Sequence, residues 1–213
     1  MRSQHAHTYN HDEWAAGYDA DVADETNPIR AGYQATLEWV VEQAAVGPDD
    51  AVVDLGIGTG NLARLLPPCR RLVGVDVSPK MLELAAPKLG SAVELVTADV
   101  LEVFERPDRY DAVVSTYALH HLTADEKAAL AGAAAARMAP GGRFVVGDLM
   151  VVSRDSVPAV RARLEHPDVD ELFADEFPWF VDEILVALDR AGFRGLVAEQ
   201  LSDLSWGVAA RVP

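Results

Sequence analysis

The chain holds a single cysteine, Cys69, among 213 residues. An internal disulfide is therefore excluded, and Cys69 reads as a small apolar residue. Cations are scarce too: 18 Lys and Arg stand against 34 Asp and Glu, a formal charge of −16. A surface that acidic repels phosphate backbones and anionic lipid, so neither nucleic acid nor membrane is an expected partner. It favours solubility and, mildly, cationic ligands. Long apolar runs are missing. The longest, AALAGAAAARMA over 128–139, is too short to span a bilayer and contains Arg137; it reads as an Ala-rich helix. The start, MRSQHAHTYNHDEW, lacks the apolar core of a signal peptide, so a cytoplasmic location is expected. His5, His7 and His11 lie near that start, but no Cys or carboxylate spacing completes a metal site around them. They read as a mobile, solvated terminus, and no metal is expected.

What is present is a chain with 50% apolar and 24% charged residues, the balance of a soluble globular protein. Its length suits one domain with a sizeable core. No repeat or long linker interrupts it. A rhythm of strand, turn and helix runs through the middle. AVVDL (51–55) reads as a short buried strand, and RLVGVD (71–76), AVELVTAD (92–99), YDAVVSTY (110–117) and RFVVGDLMVV (143–152) as the strands that follow. Helices are expected over about 60–66, over 78–89 with Ser78 as N-cap and Pro79 at the first helical position, and over 123–142 with a Thr123–Glu126 capping box and a Pro-Gly-Gly stop. Strands alternating with helices imply parallel pairing through right-handed crossovers, hence a doubly wound α/β sheet covered on both faces. Helices over 11–22 and 31–46 precede this core, giving an N-terminal helical cover over 1–48. After 152 the rhythm breaks into a polar, irregular, lid-like insertion (153–180), then a helix over 181–193 and two last strands around Ser202–Asp203.

Ligands of such sheets bind beyond the C-terminal strand ends, beside the first strand. Asp54–Gly60, Asp76, Asp99 and Ser115–His121 all fall there, and that register is the strongest functional signal in the chain. The turn Gly56-Ile57-Gly58-Thr59-Gly60-Asn61 fits the dinucleotide fingerprint G-x-G-x-x-G poorly: counted from Gly56 its last glycine would fall at Asn61, and counted from Gly58 at Ala63, which is tolerated but starts the turn late. Asp54 decides between cofactor classes. A carboxylate aimed at this turn repels a pyrophosphate and suits an ammonium. S-adenosylmethionine carries one, beside a sulfonium, and has no phosphate. A nicotinamide-dependent oxidoreductase is thereby the lesser alternative. Asp76 is placed to accept from ribose hydroxyls, and Asp99 from an adenine amino group.

The segments VVDLGIGTGNLA, LVGVDVSPKMLELA, VTADV and YDAVVSTYALHHLTADEKAAL…MAPGGRFVVGD resemble the successive motifs of class I S-adenosylmethionine-dependent methyltransferases over residues 50–150. DEWAAGYDADV, STYALHHLTADEK and LSWGVAA further resemble the small bacterial YrrT-type subgroup. The resemblance implies a seven-stranded sheet, mostly parallel, with a C-terminal antiparallel hairpin. It implies Asp54, Gly56 and Gly58 at the methionine part of S-adenosylmethionine, Asp76 and Val77 at the ribose, and Asp99 and Val100 at the adenine. Ser115 would lie near the reactive end, and Tyr18 would close over the cofactor or pack a helix onto the core.

Methyl transfer from a sulfonium is an in-line displacement, dominated by positioning. His120 is the candidate base for an acceptor that must lose a proton, and His121 reads as a packing or loop residue. Phe173, Phe177, Trp179 and Phe180 read as core packing before substrate cage, and Asp168, Asp170, Glu171, Asp175 and Glu176 as a solvated face. The expected activity is methyl transfer to a small-molecule acceptor, with a homodimer left open. A non-catalytic S-adenosylmethionine-binding protein is the alternative from another class.

Overall fold

The structure, a computed structural model, describes residues 2–5 and 11–213. Its strands are β1 (Ala51–Leu55), β2 (Arg71–Asp76), β3 (Val93–Thr97), β4 (Tyr110–Thr116), β5 (Met138–Val151), β6 (Trp179–Phe180), β7 (Arg194–Gln200) and β8 (Ser205–Arg211). The helices are α1 (Tyr18–Asp21), α2 (Tyr33–Ala44), α3 (Pro79–Leu89), α4 (Ala124–Arg137), α5 (Val157–Leu164), α6 (Pro167–Asp175) and α7 (Val181–Arg190).

The sheet order is β3-β2-β1-β4-β5-β8-β7. The first five strands are parallel, and β8 runs antiparallel to both β5 and β7. This is the expected doubly wound sheet with its C-terminal hairpin. One addition was not foreseen: two-residue β6 pairs with the end of β5, Met150 opposite Trp179 and Val151 opposite Phe180.

The middle of the sheet is covered on both faces, which is why β1 is buried throughout and β4 nearly so. Successive residues point to opposite faces. Val53, Val113 and Phe144 pack with Leu130 of α4 and Leu188 of α7, while Val52, Val114 and Val145 pack with Leu37 and Val40 of α2. The caps of α3 and α4 form as expected: Ser78 Oγ accepts from Met81 N at 3.1 Å, and Thr123 and Glu126 complete their capping box.

Four local expectations need correction. Residues 60–66 form turns, with an α-type bond from Arg64 N to Gly60 O and a 3-10-type bond from Leu65 N to Leu62 O; Pro67 and Pro68 deny the segment the length a helix needs. The 11–22 helix is two 3-10 turns and the four-residue α1. The Pro-Gly-Gly stop sits within β5, as an irregularity in its pairing with β4. The 153–180 insertion is not irregular but carries α5 and α6, the latter capped by His166 Nδ1 accepting from Asp168 N. Among the described residues no helix is long and apolar enough to cross a membrane.

Candidate active site

Asp54, at the end of β1, is 1% exposed, and among the described residues nothing hydrogen-bonds its Oδ2. Burial, then the nearby charge of Asp76, push its pKa up to about 8. A buried acceptor left unpaired costs about 1–3 kcal/mol. A ligand ammonium would supply both the missing donor and the counter-charge, whereas a phosphate would supply neither. The residues present thus fit the amino-acid end of S-adenosylmethionine.

Beyond Asp54 the chain turns on Gly56 and Gly58, both left-handed at φ +72° and +54°. They serve different ends. A Cβ on Gly56 would lie 2.2 Å from Ala118 Cβ, so that position is bare because the loop after β4 packs against it; a Cβ on Gly58 would meet nothing within 4 Å. The open space needed for a ligand is therefore at Gly58. Its N–H donates to Asp76 Oδ2 at 2.8 Å, while Ser78 N donates to Asp76 Oδ1 at 2.9 Å. Asp76 thus joins the glycine turn to the cap of α3. Burial raises its pKa despite these donors. At the end of β3, buried Asp99 accepts from Leu101 N and from Ser3 N, both at 2.8 Å. Val77 and Val100, each next to one of these acids, are half-buried. The Ser115 hydroxyl donates to Leu55 O at 2.7 Å and joins β4 to the end of β1.

The N-terminal segments cover this edge. Tyr18 is half-buried in the cluster around α2, and burial, then the Tyr33 hydroxyl, push its pKa up. Its neighbour Asp19 accepts from Thr59 Oγ1 at 2.6 Å and Asn61 Nδ2 at 3.1 Å, and pairs with Lys88 of α3. Asp12 accepts from Ser78 Oγ at 2.6 Å. His5 is half-buried with its ring 5.1 Å from that of Phe177, which corrects its reading as solvated. His7 and the His11 side chain lie outside the described residues.

After β4, Tyr117 takes a left-handed φ of +49°. Its hydroxyl bonds Thr36 Oγ1 at 3.1 Å and Ser205 Oγ at 2.8 Å, and its ring stacks 5.1 Å from Tyr33. So anchored, the chain turns His120 inward, where it is 5% exposed. Asp148 of β5, fully buried, receives it: Oδ1 lies 2.5 Å from His120 Nδ1, and Oδ2 accepts from Leu119 N and His120 N, each at 3.0 Å. On the other side of the ring, Glu176 Oε2 lies 3.4 Å from Nε2. Burial opposes a charged ring, but Asp148 and Glu176 outweigh it, so the His120 pKa is raised. His120, His121 and Glu176 each bring one ligand-type atom, all within 4.8 Å of one another, a set able to hold a metal ion.

Comparison with known proteins gives the family. Residues 52–142 match the family described as a methyltransferase domain. An uncharacterized methyltransferase of Geobacillus kaustophilus is 30% identical over 197 residues, covering 89% of each chain. The chain belongs to the methyltransferase family. A relative from Anoxybacillus flavithermus, another uncharacterized methyltransferase, is 33% identical over 168 residues and 77% of each chain. Two solved structures share the fold. A chain from the complex of the Haloferax volcanii Trm112 methyltransferase activator with a methyltransferase has a TM-score of 0.73 at 20% identity, over 96% of both chains. Magnesium protoporphyrin IX methyltransferase from Synechocystis with bound SAH has a TM-score of 0.67 at 20% identity, over 87% of this chain and 86% of that one.

Within this methyltransferase, Asp54, Gly58, Asp76, Val77, Asp99, Val100 and Ser115 line up along the C-terminal edge of the sheet, as their strand-end positions require. Sequence reading missed three residues. Asp148 had a signal: a lone carboxylate inside the apolar run RFVVGDLMVV. Glu176 had none, being one acid among several; it is half-buried against His120, which corrects its placement on a solvated face. Asp19, which fastens the cover to the glycine turn, also gave no local sign.

Proposed function

We propose that this methyltransferase transfers the methyl group of S-adenosylmethionine to a small-molecule acceptor. The observation that carries the reading is the buried Asp54 carboxylate, with an oxygen unpartnered among the described residues, close to an open Gly58. Asp54 would hold the ammonium, Asp76 and Val77 the ribose, and Asp99 and Val100 the adenine, with Tyr18 closing from above. When bound, S-adenosylmethionine supplies a methyl group already activated on a sulfonium, so the protein's task is alignment. Asp148 fixes the His120 ring through Nδ1, and Nε2, flanked by Glu176 Oε2 at 3.4 Å, would take the acceptor's proton. A cavity of about 480 Å³ between α4, α7 and segment 153–180 reaches Glu176, which flanks His120; it has the size of small-ligand pockets, which supports a small acceptor.

The test is turnover with methyl-labelled S-adenosylmethionine and a metabolite extract, alongside native mass spectrometry. Label should pass to a small molecule, and the protein should retain S-adenosylmethionine or its homocysteine product. His120→Gln should keep that binding and lose turnover. Retention of a nicotinamide cofactor instead, or binding without any transfer of label, would overturn the proposal.

A further inference from the structure

The cavity of about 480 Å³ lies between α4, α5 and α7 and the stretch from Phe173 to Phe180. Its walls are aromatic, and an aromatic pocket suggests a cationic ligand. Here two of the four rings, Trp179 and Phe180, already carry the protein's own cations. Lys127 Nζ lies 5.0 Å from the centre of the Trp179 ring, and the Arg154 guanidinium 4.4 Å from that of Phe180. In a chain of net charge −16, three cations line this one cavity (Lys127, Arg154 and Arg161) against two carboxylates, Glu176 and Glu183.

The cations differ in what they hold. Arg154 pairs with Glu183 at 2.6 Å, and Arg161 with Asp170 at 2.8 Å. Lys127 is 7% exposed, and its ammonium donates to the Phe177 carbonyl; among the described residues no carboxylate forms an ion pair with it. A buried charge without a direct ion-pair partner is costly, and burial pulls the Lys127 pKa down to about 7 although the more distant charges of Asp148, Glu183 and Glu126 hold it up. An anion entering the cavity would complete the pair.

We infer that this cavity binds a carboxylate-bearing acceptor with an apolar body of about one ring, Lys127 serving as the counter-ion to the carboxylate. The apolar body lies along the Phe177 and Trp179 wall. The reacting end is directed to the wall formed by Glu176, whose carboxylate adjoins His120 Nε2 at 3.4 Å. The inference rests on the proposed methyl transfer only in calling the ligand an acceptor.

Calorimetry with three probes of one shape tests it: 3-phenylpropanoate, 3-phenylpropan-1-ol and 3-phenylpropylamine, each added to protein saturated with S-adenosylhomocysteine. The carboxylate should bind roughly tenfold tighter than the alcohol, the value of one charged hydrogen bond, and the amine should not bind. Lys127→Met, which keeps the length and removes the charge, should erase the preference without lowering Tm, whereas Arg161→Gln should leave it in place. Equal binding of carboxylate and alcohol, preference for the amine, no binding by any probe, or an undiminished preference in Lys127→Met each overturns the inference. S-adenosylhomocysteine bound with the carboxylate refused sinks this inference alone. Refusal of S-adenosylhomocysteine sinks the reading beneath it.

Discussion

Asp54 should make cofactor binding release a proton. In the free protein, burial, then the charge of Asp76, push its pKa up to about 8, so at pH 7 about 0.9 of molecules carry that proton. An ammonium 4 Å away would attract the ionised carboxylate by roughly 4 kcal/mol at an effective dielectric near 20, or about three pKa units. The bound carboxylate is then ionised at pH 7, and about 0.9 proton leaves per cofactor bound. Removing the proton costs about 1.4 kcal/mol at pH 7, leaving ~2.6 kcal/mol for the contact. Asp54→Asn should accordingly weaken S-adenosylmethionine by about 1.5–3 kcal/mol and abolish the release. Calorimetry at pH 7 in phosphate and in Tris, whose ionisation heats differ, reads the proton number directly. Affinity should also climb nearly tenfold between pH 6 and pH 7. The stability sign runs the other way. A folded pKa raised from 3.8 to about 8 gives stabilisation that is complete below the unfolded value and is lost as pH rises through the folded one. Ligand-free Asp54→Asn should therefore melt above the parent at pH 8. No proton exchange, together with an affinity flat from pH 6 to pH 8, would refute the assignment of the ammonium to Asp54.

Two further outcomes follow. Asp148→Asn leaves His120 buried without its anion, so the ring pKa, now held up, should fall in an NMR titration, and stability should drop by about 3–5 kcal/mol. Because a raised histidine pKa stabilises below about 6.5 and that contribution fades as pH rises through the folded value, the gap in Tm should be wider at pH 5.5 than at pH 8; an equal gap would count against the pair. Gly56→Ala sets a Cβ 2.2 Å from Ala118, while Gly58→Ala meets no atom within 4 Å. Urea denaturation should show the second losing only about 1–2 kcal/mol of left-handed strain and the first distinctly more, and the reverse order would contradict the packing described.

The fold was legible because its cause is local and repeated. Apolar runs of five to seven residues, two of them followed by a capped helix, leave few topologies open, and the strand ends then place Asp54, Asp76 and Asp99 together. The glycine turn was legible only in part. Its spacing argued against a dinucleotide, yet nothing in GIGTG says that Gly56 is bare for Ala118, 62 residues later in the chain. His120 could be found from its place after β4, but its partners lie 28 and 56 positions away. Asp148 stood out as an acid within a buried strand; Glu176 looked like its exposed neighbours, since sequence shows charge and not direction. The turn at 60–66 shows apolar spacing overruled by the two prolines behind it.

The contact of segment 153–180 with His120 limits how this enzyme can be re-engineered. Phe177 N donates to His120 O at 3.0 Å, and Glu176 flanks the same ring. A chimera that swaps this segment for a relative's would import a new neighbour for the imidazole along with new pocket walls. On the proposed reading, choice of acceptor and basicity of the histidine are inherited as one block, and a graft that alters the first has to re-tune the second.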